Sequence, residues 1–313
     1  MQSERPKRVK YRSMPHARLR VHLALAFVQI TFGALHVTGK AALAHVPPLA
    51  LAGMRVLGAT PLVILCALAM EKARPSRSDW TTLGALGFLG VFVNQLAFIL
   101  GLSLTSAANA AILMPTIPVF ATGFGLLMRI ERPSLPRLAG VACAAAGALV
   151  MVGTRPPAAG WGFYLGNALL LLNCLSYALY MVLQKPLLGR LGPLTVVGGA
   201  FLAGGLGILV VSIPALARLA PLSVPPAAWA AVLYIILIPT ALNYVLNSWA
   251  IRESGPTLAA AYITLQPLAA ALLAALWLGE RPGIREGAGA FLILSGLALV
   301  ARAGRRAART VEV

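Results

Sequence analysis

The chain has 313 residues, of which 59% are hydrophobic and 11% charged, with a formal net charge of +18. A soluble globule carries about twice that charged fraction, and here residues 80–128 hold no charge at all. Further charge-free runs at 156–184, 191–217, 219–251 and 254–279 each exceed the roughly 20 residues that span a bilayer core. These features exclude a soluble enzyme or a nucleic-acid-binding module and point to an all-α integral membrane protein.

Turn residues and charge breaks predict ten transmembrane helices. After a basic arm over 1–20, the first five fall near 21–44, 47–70, 80–104, 107–128 and 135–153. The charge-free run 80–128 is too long for one helix and divides at a hairpin near Thr105-Ser106. The second five fall near 161–183, 193–217, 227–251, 256–278 and 284–302, followed by a tail over 303–313. Predicted helix 1 is too long for a signal peptide and carries His36 and Lys40, so it is expected to be retained. Cys66, Cys143 and Cys174 lie far apart in apolar runs and read as small buried hydrophobes, not as disulfide partners or metal ligands.

The positive charge is distributed as a membrane would sort it. Seven basic residues lie in the first 20 and four in the last dozen. With both termini on one side, that side holds 20 Lys and Arg residues against 4 in the opposite loops. Lys40 and Arg55, inside helices 1 and 2, complete the set of 26. The positive-inside rule therefore makes both termini cytoplasmic. The arm reads as an orientation signal attracted to anionic headgroups, with no nucleic acid as partner.

The chain also repeats itself. At an offset of 149, Asn94 falls on Asn243, Pro118 on Pro267, and Glu131-Arg132-Pro133 on Glu280-Arg281-Pro282. Gly140 and Gly147 fall on Gly289 and Gly296 at the same offset. At 145, Lys40 falls on Lys185 and Pro48 on Pro193. The expected architecture is two five-helix units, 21–153 and 161–302. Because five is odd, the second unit enters the membrane from the opposite face, an inverted repeat of the kind secondary transporters use for alternating access.

The stretch Gln266-Pro267 … Leu278-Gly279-Glu280-Arg281-Pro282 … Gly289 … Gly296-Leu297 resembles the end of an EamA-type repeat. So do Phe32-Gly33 … Lys40 … Pro48 … Arg55 and Leu175-Ser176-Tyr177-Ala178-Leu179-Tyr180 … Lys185 … Pro193 at the starts of the two copies. The chain is thus similar to bacterial members of the drug/metabolite transporter superfamily over nearly its full length. There are two departures: Phe32 stands where a Trp often precedes the first Gly, and Ala200 stands opposite Arg55. The resemblance implies a multi-pass protein of the bacterial inner membrane that exports a small organic metabolite such as an amino acid. A multidrug or cationic-compound exporter, or a non-transporting scaffold on the same bundle, are the alternative readings.

Polar side chains in apolar helices tend to face the bundle interior. Gln29, Gly33, His36 and Lys40 share one face of helix 1, and Asn173, Tyr177, Tyr180 and Gln184 one face of helix 6. Under the 145 offset Asn173 falls on Val28 and not on Gln29, so the two stripes are not strictly equivalent. Helix 3 contributes Asn94 and Gln95, helix 8 Asn243, Tyr244 and Asn247, and helix 9 Tyr262 and Gln266. The candidate substrate-binding set is Gln29, His36, Asn94, Asn173, Tyr177, Tyr180, Asn243, Tyr244 and Gln266. It is expected to line a cavity bounded by helices 1, 3, 4, 6, 8 and 9. Each such residue has a second reading, a hydrogen bond that merely joins neighbouring helices.

Lys40 either snorkels to the interface or faces inward as an anion site, and Arg55 either bonds carbonyls or lines the cavity. Pro118 and Pro267 would free the carbonyls of Met114 and Ile263, for gating or a cavity wall, or would act as static kinks. None of the eight Asp and Glu residues falls in a helix core, which favours exchange or facilitated diffusion over carboxylate-based ion coupling. No cofactor or metal site is expected, and the partners are a small organic solute and membrane lipids, with the protein a monomer.

Overall fold

The computed structural model describes residues 15–105, 110, 111, 113–130, 134–152, 160–269 and 284–309. The described residues are mostly helical, with no strand among them. In chain order the helices are α1 (Pro15–Leu43), α2 (Pro48–Met70), α3 (Arg77–Leu104), α4 (Thr116–Leu127) and α5 (Leu135–Val152). They continue with α6 (Trp161–Leu183), α7 (Pro193–Ala217), α8 (Pro226–Ser254), α9 (Pro256–Ala261) and α10 (Ile284–Arg309). A short helix the sequence reading did not anticipate, Lys185–Leu191, joins α6 to α7. The two Glu-Arg-Pro tripeptides, Ser106 and the far end of predicted helix 9 lie outside the described residues.

Six helices (α1, α2, α3, α6, α7 and α8) are long and apolar enough to cross a membrane. Their outer faces are apolar: Leu23, Phe27 and Val37 on α1, Leu62, Leu65 and Leu68 on α2, and Leu206 and Val210 on α7 are all exposed. Cys66 belongs to that outer surface, contrary to its reading as a buried hydrophobe, because it lies on the face of α2 that carries Leu62 and Leu65. Inside, the amides Gln29, Asn94, Asn173, Asn243 and Asn247 are buried. This arrangement suits a hydrocarbon solvent, where polar groups find partners only within the protein.

Helix starts follow local chemistry. A Pro at the first helical position opens α2, α7, α8 and α9, where a missing N–H costs nothing. Ser76 and Asp79 form a capping box at α3. Gly192 and Gly255, with φ of 87° and 91°, make the turns into α7 and α9 that a side chain would resist. The Glu71 carboxylate accepts the amides of Leu194 and Thr195, at 3.1 and 2.8 Å, at the start of α7.

Contacts recur between the halves at the offsets read from the sequence. Lys40 Nζ donates to the carbonyls of Leu102 and Ser103 at 2.8 and 3.3 Å, capping α3. Lys185 Nζ donates to those of Ile251 and Arg252 at 2.7 and 2.6 Å, capping α8. Asn94 Nδ2 reaches the carbonyl of Asn173, and Asn243 Nδ2 that of Val28, both at 3.3 Å. Both parent helices widen into a π-turn just before the asparagine, at Phe88–Val93 in α3 and Ile236–Leu242 in α8. Helices α5 and α10 pack through their glycines: a Cβ on Gly140 would lie 2.8 Å from the Gly296 carbonyl, and one on Gly147 2.8 Å from that of Gly289.

Candidate functional site: a cavity between the two halves

The cavity lies where helices from both halves meet and has a volume of about 50 Å³. At roughly 10–15 Å³ per water it accommodates a few waters in this conformation. From α1 it receives Gln29, Phe32, Leu35 and His36, which share one face of that helix. From α3 come Asn94, Gln95 and Phe98, placed by the π-turn that ends at Val93. Asn173 and Tyr177 enter from α6, Tyr244 from α8, and Arg55 from α2. Met114 and Ile117 close one wall, and Ile263 and Gln266 another.

The polar groups are connected across the halves. Gln266 Nε2 donates to Gln29 Oε1 at 2.8 Å. Gln95 Nε2 donates to the Tyr244 hydroxyl at 2.8 Å, and that hydroxyl in turn lies 2.8 Å from Asn94 Oδ1 and 3.1 Å from the Gly90 carbonyl. Asn173 Nδ2 returns the bond it receives by donating to the Asn94 carbonyl at 3.1 Å. Asn247 Nδ2 donates to the Tyr177 hydroxyl at 3.1 Å. His36 Nδ1 faces the carbonyls of Phe32 and Gly33 at 3.0 and 3.4 Å, which fixes the proton there and leaves Nε2 an acceptor without a partner.

The structure therefore gathers Gln29, His36, Asn94, Asn173, Tyr177, Tyr244 and Gln266 on one cavity. Tyr180 and Asn243 are not on its wall. Tyr180 stacks on Tyr177 at 6.0 Å and lies so close under the π-turn of α3 that a Cβ at Gly90 would strike its ring. Asn243 faces α1, where its amide also donates to Thr31 Oγ1 at 2.9 Å. Lys40 neither snorkels nor reaches the cavity, because its ammonium binds the last carbonyls of α3. Pro118 lies in the first turn of α4, and the Met114 carbonyl it was expected to free accepts the Ile117 amide at 3.0 Å. Pro267 is buried and follows a 3-10 turn, Tyr262–Thr264. Phe98 and Gln95, absent from the candidate set, had a readable signal: one lies a helical turn beyond Asn94 and the other beside it. Met114 and Ile263 had one too, as the residues four before Pro118 and Pro267, whereas Leu35 and Ile117 carried none.

The sequence model of the EamA-like transporter family matches this chain twice, over residues 19–153 and 164–302. The chain belongs to that family. It is an EamA-type member of the drug/metabolite transporter superfamily, a multi-pass membrane protein of transmembrane transport. A protein of Archaeoglobus fulgidus named "Uncharacterized transporter" is 29% identical over 283 residues, covering 90% of this chain and 96% of the relative. A "Probable terminal-alkyne amino-acid exporter" of Streptantibioticus cattleyicolor is 29% identical over 236 residues, covering 74% and 77% of the two chains. A solved crystal structure shares the fold of this EamA protein with a TM-score of 0.73, at 18% identity over 94% of this chain and 98% of the other. The family and its relatives' names describe the movement of small solutes, not an enzyme.

Proposed function

We propose that this protein is an alternating-access secondary transporter that exports small organic metabolites, amino acids among them, across the bacterial inner membrane. It has ten transmembrane helices in two inverted five-helix repeats, with both termini cytoplasmic. The observation that carries this reading is a cavity built by residues from both halves, whose polar side chains bond across it, as in Gln29–Gln266 and Gln95–Tyr244. Rocking one repeat against the other would open such a cavity to either side in turn.

The topology has its own support. The segment from Glu71 to Asp79 touches the one from Arg190 to Thr195, through Glu71 with the α7 amides and through the Asp79–Arg190 ion pair. Both segments are cytoplasmic loops under the even helix count. The amino-acid reading draws on the relative named as an amino-acid exporter. The aromatic walls Phe32, Phe98, Tyr177 and Tyr244 favour the second reading, a cationic compound.

Counterflow in proteoliposomes decides between these. Radiolabelled amino acids, nucleosides and cationic dyes are tested against liposomes preloaded with the same unlabelled compound. Accelerated exchange of an amino acid is the expected result. Exchange confined to cationic dyes supports the second reading, and no exchange by any compound rejects transport.

A further inference from the structure

One cation on the cavity wall has no counter-charge there among the described residues. Arg55 is 2% exposed, its Nε donates to Thr240 Oγ1 at 3.1 Å, and its Nη1 has no hydrogen-bond partner. Thr240 gives its own proton to the Ile235 carbonyl, at 2.6 Å, across the π-turn of α8, and so keeps its lone pairs toward Arg55. The Phe98 ring lies 5.8 Å from the guanidinium carbon. Among the described residues, no acidic one lines the cavity. Glu71 is engaged at the α7 amides, Asp79 with Arg190, and Glu253 lies 4.0 Å from Arg252.

A guanidinium keeps its proton in proteins, and an unpaired buried charge is costly in a bilayer. Since no described residue supplies the offsetting anion, that role falls to the ligand. The planar fork of arginine matches a carboxylate in particular. On the same wall, Gln266 Oε1 and His36 Nε2 are buried acceptors without partners, suited to an ammonium group.

We propose that Arg55 is the carboxylate receptor of this cavity, so that the solute is a zwitterionic, amino-acid-like carboxylate whose ammonium group faces His36 and Gln266. This rests on the transporter reading and narrows it. A cationic compound would bring a like charge against Arg55, which weighs against the second reading above.

Thermal stabilisation of the purified full chain and counterflow in proteoliposomes test the proposal in parallel. The probes are the proteinogenic amino acids and short-chain keto acids, each compared with its own carboxamide. At least one acid should stabilise the wild type, its carboxamide should bind about tenfold more weakly, and Arg55→Gln should abolish that preference. Arg55→Lys keeps the charge without the fork and should retain part of the preference. The comparison of acid with carboxamide in the wild type needs no variant to fold. Equal binding of acids and carboxamides, binding by no acid, or an unchanged preference in a folded Arg55→Gln protein overturns the proposal. In each of those cases, counterflow of tetraphenylphosphonium or another probe leaves the transporter reading standing. Selective binding of acids, lost in Arg55→Gln, without counterflow of any probe would uphold the receptor and reject transport.

Discussion

Asn94 and Asn173 each donate a side-chain amide to the other's backbone carbonyl, at 3.3 and 3.1 Å, across the packed faces of α3 and α6. Asn94 also receives the Tyr244 hydroxyl, so one residue ties three helices at the cavity wall. Replacing it with Leu leaves the Asn173 amide's partner in place but removes a donor and an acceptor from a buried network. Asn94→Leu should lower stability by about 1–3 kcal/mol, read as a lower melting temperature of the purified protein in detergent. An unchanged melting temperature would show that the network contributes nothing to folding.

Gln266 and Tyr180 should separate function from folding. Gln266 borders the cavity and bonds only its partner Gln29 in the hydrogen-bond network described, so Gln266→Ala should cut flux while the yield of folded protein stays near wild type. Tyr180 is 1% exposed and packed between Tyr177 and Tyr244, off the wall. Tyr180→Ala should cost about 3–5 kcal/mol as a cavity in the core. Yield after size exclusion, set beside initial flux, distinguishes the two.

Lys40 and Lys185 should behave alike because each caps the helix of its own half. Removing the ammonium in Lys40→Met or Lys185→Met leaves helix-end carbonyls without their donor, a loss of about 1–3 kcal/mol. Both variants should melt earlier and keep the wild-type order of substrate preference. A change of preference in Lys40→Met would return that residue to the binding site.

The α5–α10 contact tolerates no side chain at its closest points. Gly296→Leu would drive carbon into the Gly140 carbonyl and the Ala144 backbone, where even a Cβ would lie 2.5 Å away from each. Overpacking of this kind costs about 1–3 kcal/mol or more. Yield should fall steeply in Gly296→Leu, and a variant at Gly287, where a Cβ meets nothing within 4 Å, is the control.

Orientation is tested by fusion. A fluorescent protein joined to either terminus should fluoresce, and alkaline phosphatase there should be inactive. Active phosphatase at one end would mean an odd number of spans.

Sequence alone determined the membrane class and most of the helix starts. Each rests on a signal local to the chain: charge-free length, and proline and glycine breaks. The 145 offset pairs Val28 with Asn173, and those are the carbonyls that Asn243 and Asn94 reach, a contact the sequence reading did not foresee. Which face of a polar helix looks into the cavity was only partly legible. Periodicity placed Gln29 and His36 together, but it could not tell Asn243, turned to α1, from Tyr244 beside it on the wall. That difference is one residue, about 100° of rotation, and the π-turns of α3 and α8 reset the rotation in a way no 3.6-residue pattern encodes. Lys40 was decided the same way. Its sequence fits snorkelling or an anion site equally well, and only the tertiary structure brings the end of α3 within reach of its ammonium.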